Sequence, residues 1–365
     1  IRLAAAIIII IFHYNKLTGG VHDDPNLPLY SILRPLYVNG GKLVELFFMM
    51  SGFCFMLFSA KKIEARETSF NRFLMHRLCR IMPSYWLSSL LVILLTKLSI
   101  LILESTINGT GGNPQKPIAV ILNVFCMDFV NPINGVTWFL AVNLFCYICY
   151  YYLLRLPTTR KIKGLLWMSC VALSSVEIII LGYSHPLSNL ARGLASFGSG
   201  GVMAIFNNQI VENDRKKVEI VRVSFVCLVG ISIGLVLLDF LQELQWIFEV
   251  YILYPSFLLI ITNIKKVRNV LSKSPLQKLG KYSFSIYIFQ TAGMCICYFV
   301  YEIIGVNNWY MTFSFITSII FVIVFGLVMY YIFEQPINRI LKKWEEKANE
   351  KDQTIFDCRN RSKFL

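Results

Sequence analysis

The sequence predicts an all-α, polytopic integral membrane protein, a bundle of about ten transmembrane helices with both termini in the cytoplasm. Three observations carry this. First, 56% of the 365 residues are hydrophobic and only 15% are charged, with a mean hydropathy of +0.60; a soluble chain of this length needs far more charge to cover its surface. Second, apolar stretches fall near 1–13, 43–60, 81–103, 136–154, 165–183, 190–206, 218–238, 245–262, 282–304 and 310–333, separated by short charged loops, the pattern of helices that satisfy their backbone internally in lipid. Third, Lys and Arg gather in alternate loops, 61–80, 155–164, 207–217, 263–281 and the segment after Glu334, while the opposite set holds only Lys16, Arg34, Lys42 and Lys116. The positive-inside rule places the basic set in the cytoplasm.

Residues 1–336 are therefore expected to form one transmembrane domain, followed by a basic cytoplasmic tail at 337–365. A further apolar piece at 117–130, flanked by Pro117 and Pro132, is short for a span and reads as a re-entrant or surface segment. Counting it as a span would put the later basic loops outside. The chain opens at Ile1 without a methionine, so a short preceding segment is expected. The first apolar stretch lacks the small-residue cleavage site of a signal peptide. The net charge of +14 is accounted for by topology, and no nucleic-acid partner is expected. Most of the ten cysteines lie inside apolar segments, and none has metal-ligand spacing with histidine. They read as small buried residues, so neither a disulfide framework nor a metal is expected.

The first helix, IRLAAAIIIIIFHY, holds two basic side chains, Arg2 and His13. At ~100° and ~1.5 Å per residue, eleven steps bring His13 back to within roughly 20° of the face of Arg2, about 16 Å further along. The loop charges put Arg2 at the cytoplasmic end and His13 towards the outside. Ionisable groups at membrane depth point to function, although a snorkelling arginine and a helix-ending histidine give the same spacing.

Glu45 opens the second apolar segment, LVELFFMMSGF. It could orient or polarise the imidazole, as could Asp23 or Asp24 in the preceding loop; a solvated interfacial acid is the alternative. Ser51-Gly52 in the same segment permits close helix approach. Arg77 and Arg80, in HRLCRIMPSYW, project to one side of the third helix and suit phosphate groups, or form an ordinary positive-inside flank. Pro83 is expected in the first turns of that helix, where proline is tolerated. Trp138 lies at the outer surface, where an aromatic belt is usual. Arg192 stands near the outer end of the sixth helix, where an acceptor-binding role and snorkelling both fit. His22, His76 and His185 fall in loops and need no special role. No Gly-rich phosphate loop, GxSxG elbow or HExxH is present, so hydrolase, P-loop and zincin chemistry have no support.

Several of these stretches together resemble the acyltransferase 3 family of integral membrane acyltransferases. The Arg2-to-His13 spacing is similar to that family's arginine, ten residues, histidine signature. LVELFFMMSGF resembles its V-D/E-x-F-F-x-x-S-G-F stretch, with Glu45 in the acidic place. RLCRIMPSYW resembles its R-x-x-R and I-x-P-x-Y/W, and ARGLASFGSGG its Arg, Phe and Gly pattern. LGKYSFSIYIFQ resembles L-G-x-x-S-Y-x-I-Y-L-x-H, and the FEQP of Phe333 to Pro336 its closing E-x-P. These matches run from residue 2 to residue 336 in the family's order. Two positions depart from it: Val142-Asn143 stands where members often carry an acid after the tryptophan, and Gln290 where they often carry histidine.

The resemblance implies a bacterial inner-membrane O-acyltransferase, of the kind that O-acetylates a cell-surface glycan. Acetyl-CoA would be the donor at the cytoplasmic face, its phosphates held by Arg77, Arg80 and Arg2. His13 would be the catalytic base or a transient acyl carrier, with Glu45 setting its tautomer. Arg192 and Trp138 would meet the acceptor in an outward-facing cavity. No esterase-like segment stands within these residues, so the membrane domain would hand the acyl group over directly. Membrane lipid, the acyl-CoA and the glycan are the partners implied, and association with further copies of the chain stays open. Two other readings suit the composition: a transporter or flippase for a glycan or lipid, although no internal repeat supports it, and an acyltransferase acting on a small molecule.

Overall fold

A computed structural model describes residues 1–18, 21–103, 117–129, 132–182, 185, 187–211, 219–220, 223–225, 242–264, 266–267, 269–270, 278–305 and 309–344. Among the described residues the chain is helical and contains no strand. The helices are α1 (Arg2–Tyr14), α2 (Tyr30–Asn39), α3 (Leu43–Phe58), α4 (Ala60–Glu64), α5 (Phe70–Leu103), α6 (Pro117–Val124), α7 (Trp138–Arg155), α8 (Arg160–Leu181), α9 (Ser188–Val211), α10 (Gln242–Phe248), α11 (Tyr254–Asn263), α12 (Ser283–Ile304) and α13 (Thr312–Met329).

Among the described residues, seven helical runs are long and apolar enough to cross a membrane: Tyr30–Phe58, Phe70–Leu103, Trp138–Arg155, Arg160–Leu181, Gln245–Asn263, Gly280–Ile304 and Thr312–Trp344. The protein is thus a multi-pass membrane protein. Each run overlaps one of the stretches expected from the sequence. Of the other three, α1 has 13 residues, about 20 Å against a ~30 Å hydrocarbon core. Helix α9 is long enough at 24 residues, but Asn189, Arg192, Asn207 and Asn208 interrupt its apolar face. The stretch at 218–238 lies mostly outside the described residues.

Two helix starts differ from the expectation. The loop before residue 43 contains α2, joined through a 3₁₀ turn at Gly40–Lys42 directly to α3. Helix α5 begins at Phe70, so Pro83 lies inside it and not in its first turns. The basic stretch before residue 81 is made of good helix formers, and lack of hydrophobicity alone kept it out of the apolar count. Of the 117–130 segment, the described residues 117–129 carry the eight-residue α6, short of a span. Behind it Asp128 is buried, accepting from the Tyr85 hydroxyl, from Asn123 Nδ2 at 3.0 Å and from Thr137 Oγ1 at 2.8 Å. Such a network is stable in a low-dielectric interior when its members are paired.

Lipid-facing surface is legible on α13, where Ile316, Ile320, Val324 and Val328 recur every four residues and stay exposed, one apolar stripe of a helix. The opposite requirement holds between α3 and α9. A Cβ on Gly52 would lie 1.9 Å from the Phe197 carbonyl oxygen, and one on Gly200 would lie 2.0 Å from that of Met49. The two backbones touch through paired glycines, the small-residue packing that membrane helices use in place of a hydrophobic driving force. The close approach expected from Ser51-Gly52 is found here. All described cysteines are free, and no metal-binding group is found among the described residues.

Candidate active site

Helix α1 is held at its far end by Tyr14, whose hydroxyl donates to the Trp309 carbonyl at 2.7 Å and whose ring meets Phe315 edge-on. Ala5, Ala6, Ile9 and Ile10 are buried against the bundle, which turns His13 into a cavity of about 320 Å³. The imidazole Nδ1 lies 3.5 Å from Gln290 Oε1 on α12, and Gln290 is fully buried. A hydrogen bond from Nδ1 to that oxygen leaves Nε2 with its lone pair as the basic nitrogen. Arg2, at the other end of α1, is exposed and within electrostatic reach of Cys54 near the end of α3.

Trp138 and Arg192 line the same cavity as His13. Arg192 Nε donates to Glu45 Oε1 at 2.7 Å and its NH1 group to Asn189 Oδ1 at 3.3 Å. Its guanidinium carbon stands 4.8 Å from the centre of the Trp138 ring. Glu45 has no exposed surface and also accepts from Trp246 Nε1 at 3.2 Å. The contacts of Glu45 are therefore with Arg192 and Trp246, and the group at His13 Nδ1 is Gln290. Breaking a buried pair of this kind by removing one partner leaves an uncompensated charge and costs about 3–5 kcal/mol. The glycine contact between α3 and α9 sets the helix spacing that the pair requires.

Two more charges join this cluster. Lys42, at the end of the 3₁₀ turn before α3, lines the cavity, and its Nζ is 4.0 Å from Glu249 Oε1. Glu249 is buried and accepts from Gln245 Nε2 at 2.8 Å. It opens a π-turn, Glu249–Leu253, just ahead of Pro255, which has no N–H to continue the α-helical ladder. From the sequence, Lys42 and Glu249 received no role in the site, and Gln290 stood out only as a departure from histidine. A carboxylate inside the apolar stretch 245–262 was the available signal for Glu249. His22 is no bystander either: it lines the cavity and stacks on Phe12 with ring centres 4.3 Å apart.

The side-chain contacts of Asp23 are with Arg34 and Tyr30, not with the imidazole. Asp23 faces solvent, accepting two bonds at 2.9 Å from Arg34 and one from the Tyr30 hydroxyl. Those bonds hold its carboxyl down at about 2. A folded-state pKa below the ordinary carboxylate value gives stabilisation that is complete above about pH 4 and lost as pH falls through about 2. This clasp beside His22 is therefore fully formed across the working range. Asp23→Asn should loosen the 21–29 loop, read as faster hydrogen exchange there at neutral pH, with the rest of the bundle unchanged.

Arg77 and Arg80 sit on α5, away from this cavity's lining. The Arg77 guanidinium lies 3.6 Å from the Phe73 ring centre and 4.3 Å from that of Tyr147, and donates to the Phe73 carbonyl at 3.2 Å and to Ser59 Oγ at 3.4 Å. Arg80 is exposed and within electrostatic reach of Glu334. Glu334 in turn accepts from the Ser285 hydroxyl, so FEQP and LGKYSFS meet. His13, Trp138 and Arg192 thus share one cavity with Glu45 behind it, and Arg2, Arg77 and Arg80 lie outside its lining.

The family model described as an acyltransferase domain, acyltransferase 3, matches residues 1–334. The chain belongs to this family of acyltransferases, in agreement with the resemblance of its motifs. No curated protein and no solved structure matches it significantly.

Proposed function

We propose that the protein is an O-acetyltransferase of the bacterial inner membrane that takes acetyl from cytoplasmic acetyl-CoA and transfers it to a hydroxyl of an extracytoplasmic glycan. The observation that carries this reading is the placement of His13 in a cavity, one short helix away from Arg2. The imidazole Nε2 takes the proton of the acceptor hydroxyl as the oxygen bonds to the thioester carbonyl carbon; the C–S bond then breaks, and the CoA sulfur leaves with that bond's electron pair and takes the proton from the imidazolium. If the imidazole instead attacks the thioester itself, the acyl group rests on nitrogen before the hydroxyl collects it; the same atom serves both routes. Gln290 orients the ring, and Glu45 acts through Arg192.

Arg2, Arg77 and Arg80 supply the positive charge for the phosphates of the donor, and Trp138 with Arg192 meets the acceptor. The positive-inside distribution supports a cytoplasmic site for the arginine set and for both termini. The test is acetyl-CoA affinity of the purified, detergent-solubilised chain. Arg80→Ala and the double variant Arg77→Ala/Arg80→Ala should weaken binding by about 10-fold or more, the scale of one or two lost charge-assisted contacts. Unchanged affinity in both would return these residues to a topological role. A wild-type chain that fails to bind the thioester would remove the donor from the reading.

A further inference from the structure

The cavity around His13 is lined by two cations and, among the described residues, by no carboxylate. Lys42 and Arg192 contribute to its wall, and the acids that compensate them do not. Glu45 and Glu249 are buried behind that wall with 0% and 3% of their surface exposed. The four groups act on one another: Lys42 feels the charges of Glu249, Glu45 and Arg192. Formally the cluster is neutral, but its charges are sorted, with positive ends towards the cavity and negative ends into the protein. In a site with low-dielectric walls such an arrangement holds a positive potential over the open space.

The hydrogen-bonding capacity points the same way. An ammonium has three donors; Asn39 Oδ1 takes one at 3.2 Å, and Glu249 at 4.0 Å is beyond hydrogen-bond reach. Neutral sugars offer hydroxyls, which need acceptors as well as donors. Beside Trp138 and Tyr287 this wall carries the imidazoles of His13 and His22, which can accept from hydroxyls, and the two cations, which a neutral sugar leaves without a charge partner. A cavity of about 320 Å³ stands at the small end of ligand sites, where one ill-matched polar group is decisive.

We propose that the acceptor carries a negative charge beside the hydroxyl that is acylated, a carboxylate or phosphate on the sugar held between Lys42 and Arg192. This rests on the acyltransferase reading and deepens it by naming the chemical class of the acceptor. Lys42 is a specificity residue in this scheme: it binds the charge and leaves the chemistry to His13.

The test uses the full chain in detergent with two probes matched in shape, methyl glucuronoside and methyl glucoside, and glucose 6-phosphate as a third arm to separate carboxylate from phosphate. Binding is measured for wild type, Lys42→Gln and Lys42→Arg, with size-exclusion profiles confirming that each variant is folded. The expected result is that wild type prefers an anionic probe over the neutral one by about 10-fold or more, the equivalent of about 1.4 kcal/mol. Lys42→Gln should erase most of that preference and Lys42→Arg should keep it, and the preference should shrink at high salt. Absence of discrimination in wild type, whether all probes bind alike or none binds, overturns the inference. So does a preference that survives Lys42→Gln intact. Acetyl-CoA binding on the same preparation separates the two readings: a chain that selects anions but does not bind the thioester defeats the donor assignment and leaves this inference standing.

Discussion

Replacing His13 by alanine should lower acyl transfer by about 10²- to 10⁴-fold, the usual contribution of a positioned general base, while leaving acetyl-CoA affinity within about 2-fold. The separation follows from the geometry. His13 lies in the cavity with Trp138 and Arg192, and Arg2, Arg77 and Arg80 lie outside its lining, so on the proposed reading removal of the imidazole takes out the chemistry and leaves the proposed phosphate contacts in place. Acetyl content of the cell-surface glycan by mass spectrometry reads the first effect in cells, and thioester binding to the purified chain reads the second. Unaltered acetyl content in the variant would remove His13 from the mechanism. A parallel fall in donor affinity would mean that the imidazole helps to bind the thioester. Gln290→Leu is the informative companion, because it keeps the imidazole and deletes the oxygen 3.5 Å from its Nδ1.

Gly52→Ala should destabilise the protein by about 1–3 kcal/mol or more, the cost of forcing one extra carbon into a packed contact. The obstacle is backbone, the Phe197 carbonyl at 1.9 Å from the added carbon, so no side-chain rotation relieves it. Gly200→Ala meets the Met49 carbonyl at 2.0 Å and should behave alike. The control is Gly164→Ala on α8, where nothing lies within 4 Å of the new carbon and the change should be neutral or slightly stabilising. Thermal unfolding in detergent distinguishes the three. Equal melting temperatures for Gly52→Ala and Gly164→Ala would disprove the direct backbone contact. Because α3 carries Glu45 and α9 carries Arg192, the two helix-contact variants should also lose acceptor binding before they lose donor binding.

Much of this was readable in the sequence, for reasons that particular residues make plain. Apolar runs announce membrane helices because lipid leaves the backbone few alternatives, and the long runs at 81–103 and 310–333 were visible on that basis. The eleven-residue step from Arg2 to His13 was visible because helix geometry is local. The partner of Glu45 was not, since Arg192 is 147 positions away and nothing local selects it over His13 or solvent. Gln290 registered only as a departure from a histidine, yet it is the side chain that touches the imidazole. The start of α5 at Phe70 escaped because the helix continues into residues too basic to register as apolar.

The backbone contact between α3 and α9 has a consequence for how enzymes of this architecture diversify. With the main chains already touching at Gly52 and Gly200, the Glu45–Arg192 wall has no slack and cannot be resized by sliding helices. Other lining residues, His22, Val38, Gly41 and Lys42, belong to a loop, a short helix and a 3₁₀ turn; the turn is itself packed, since a Cβ on Gly41 would lie 2.7 Å from the Phe12 ring, whereas the loop tolerates substitution and length changes far better. New acceptor preferences would then arise in the 21–29 loop, with the ion-paired side serving as a fixed jig against which each new acceptor is fitted.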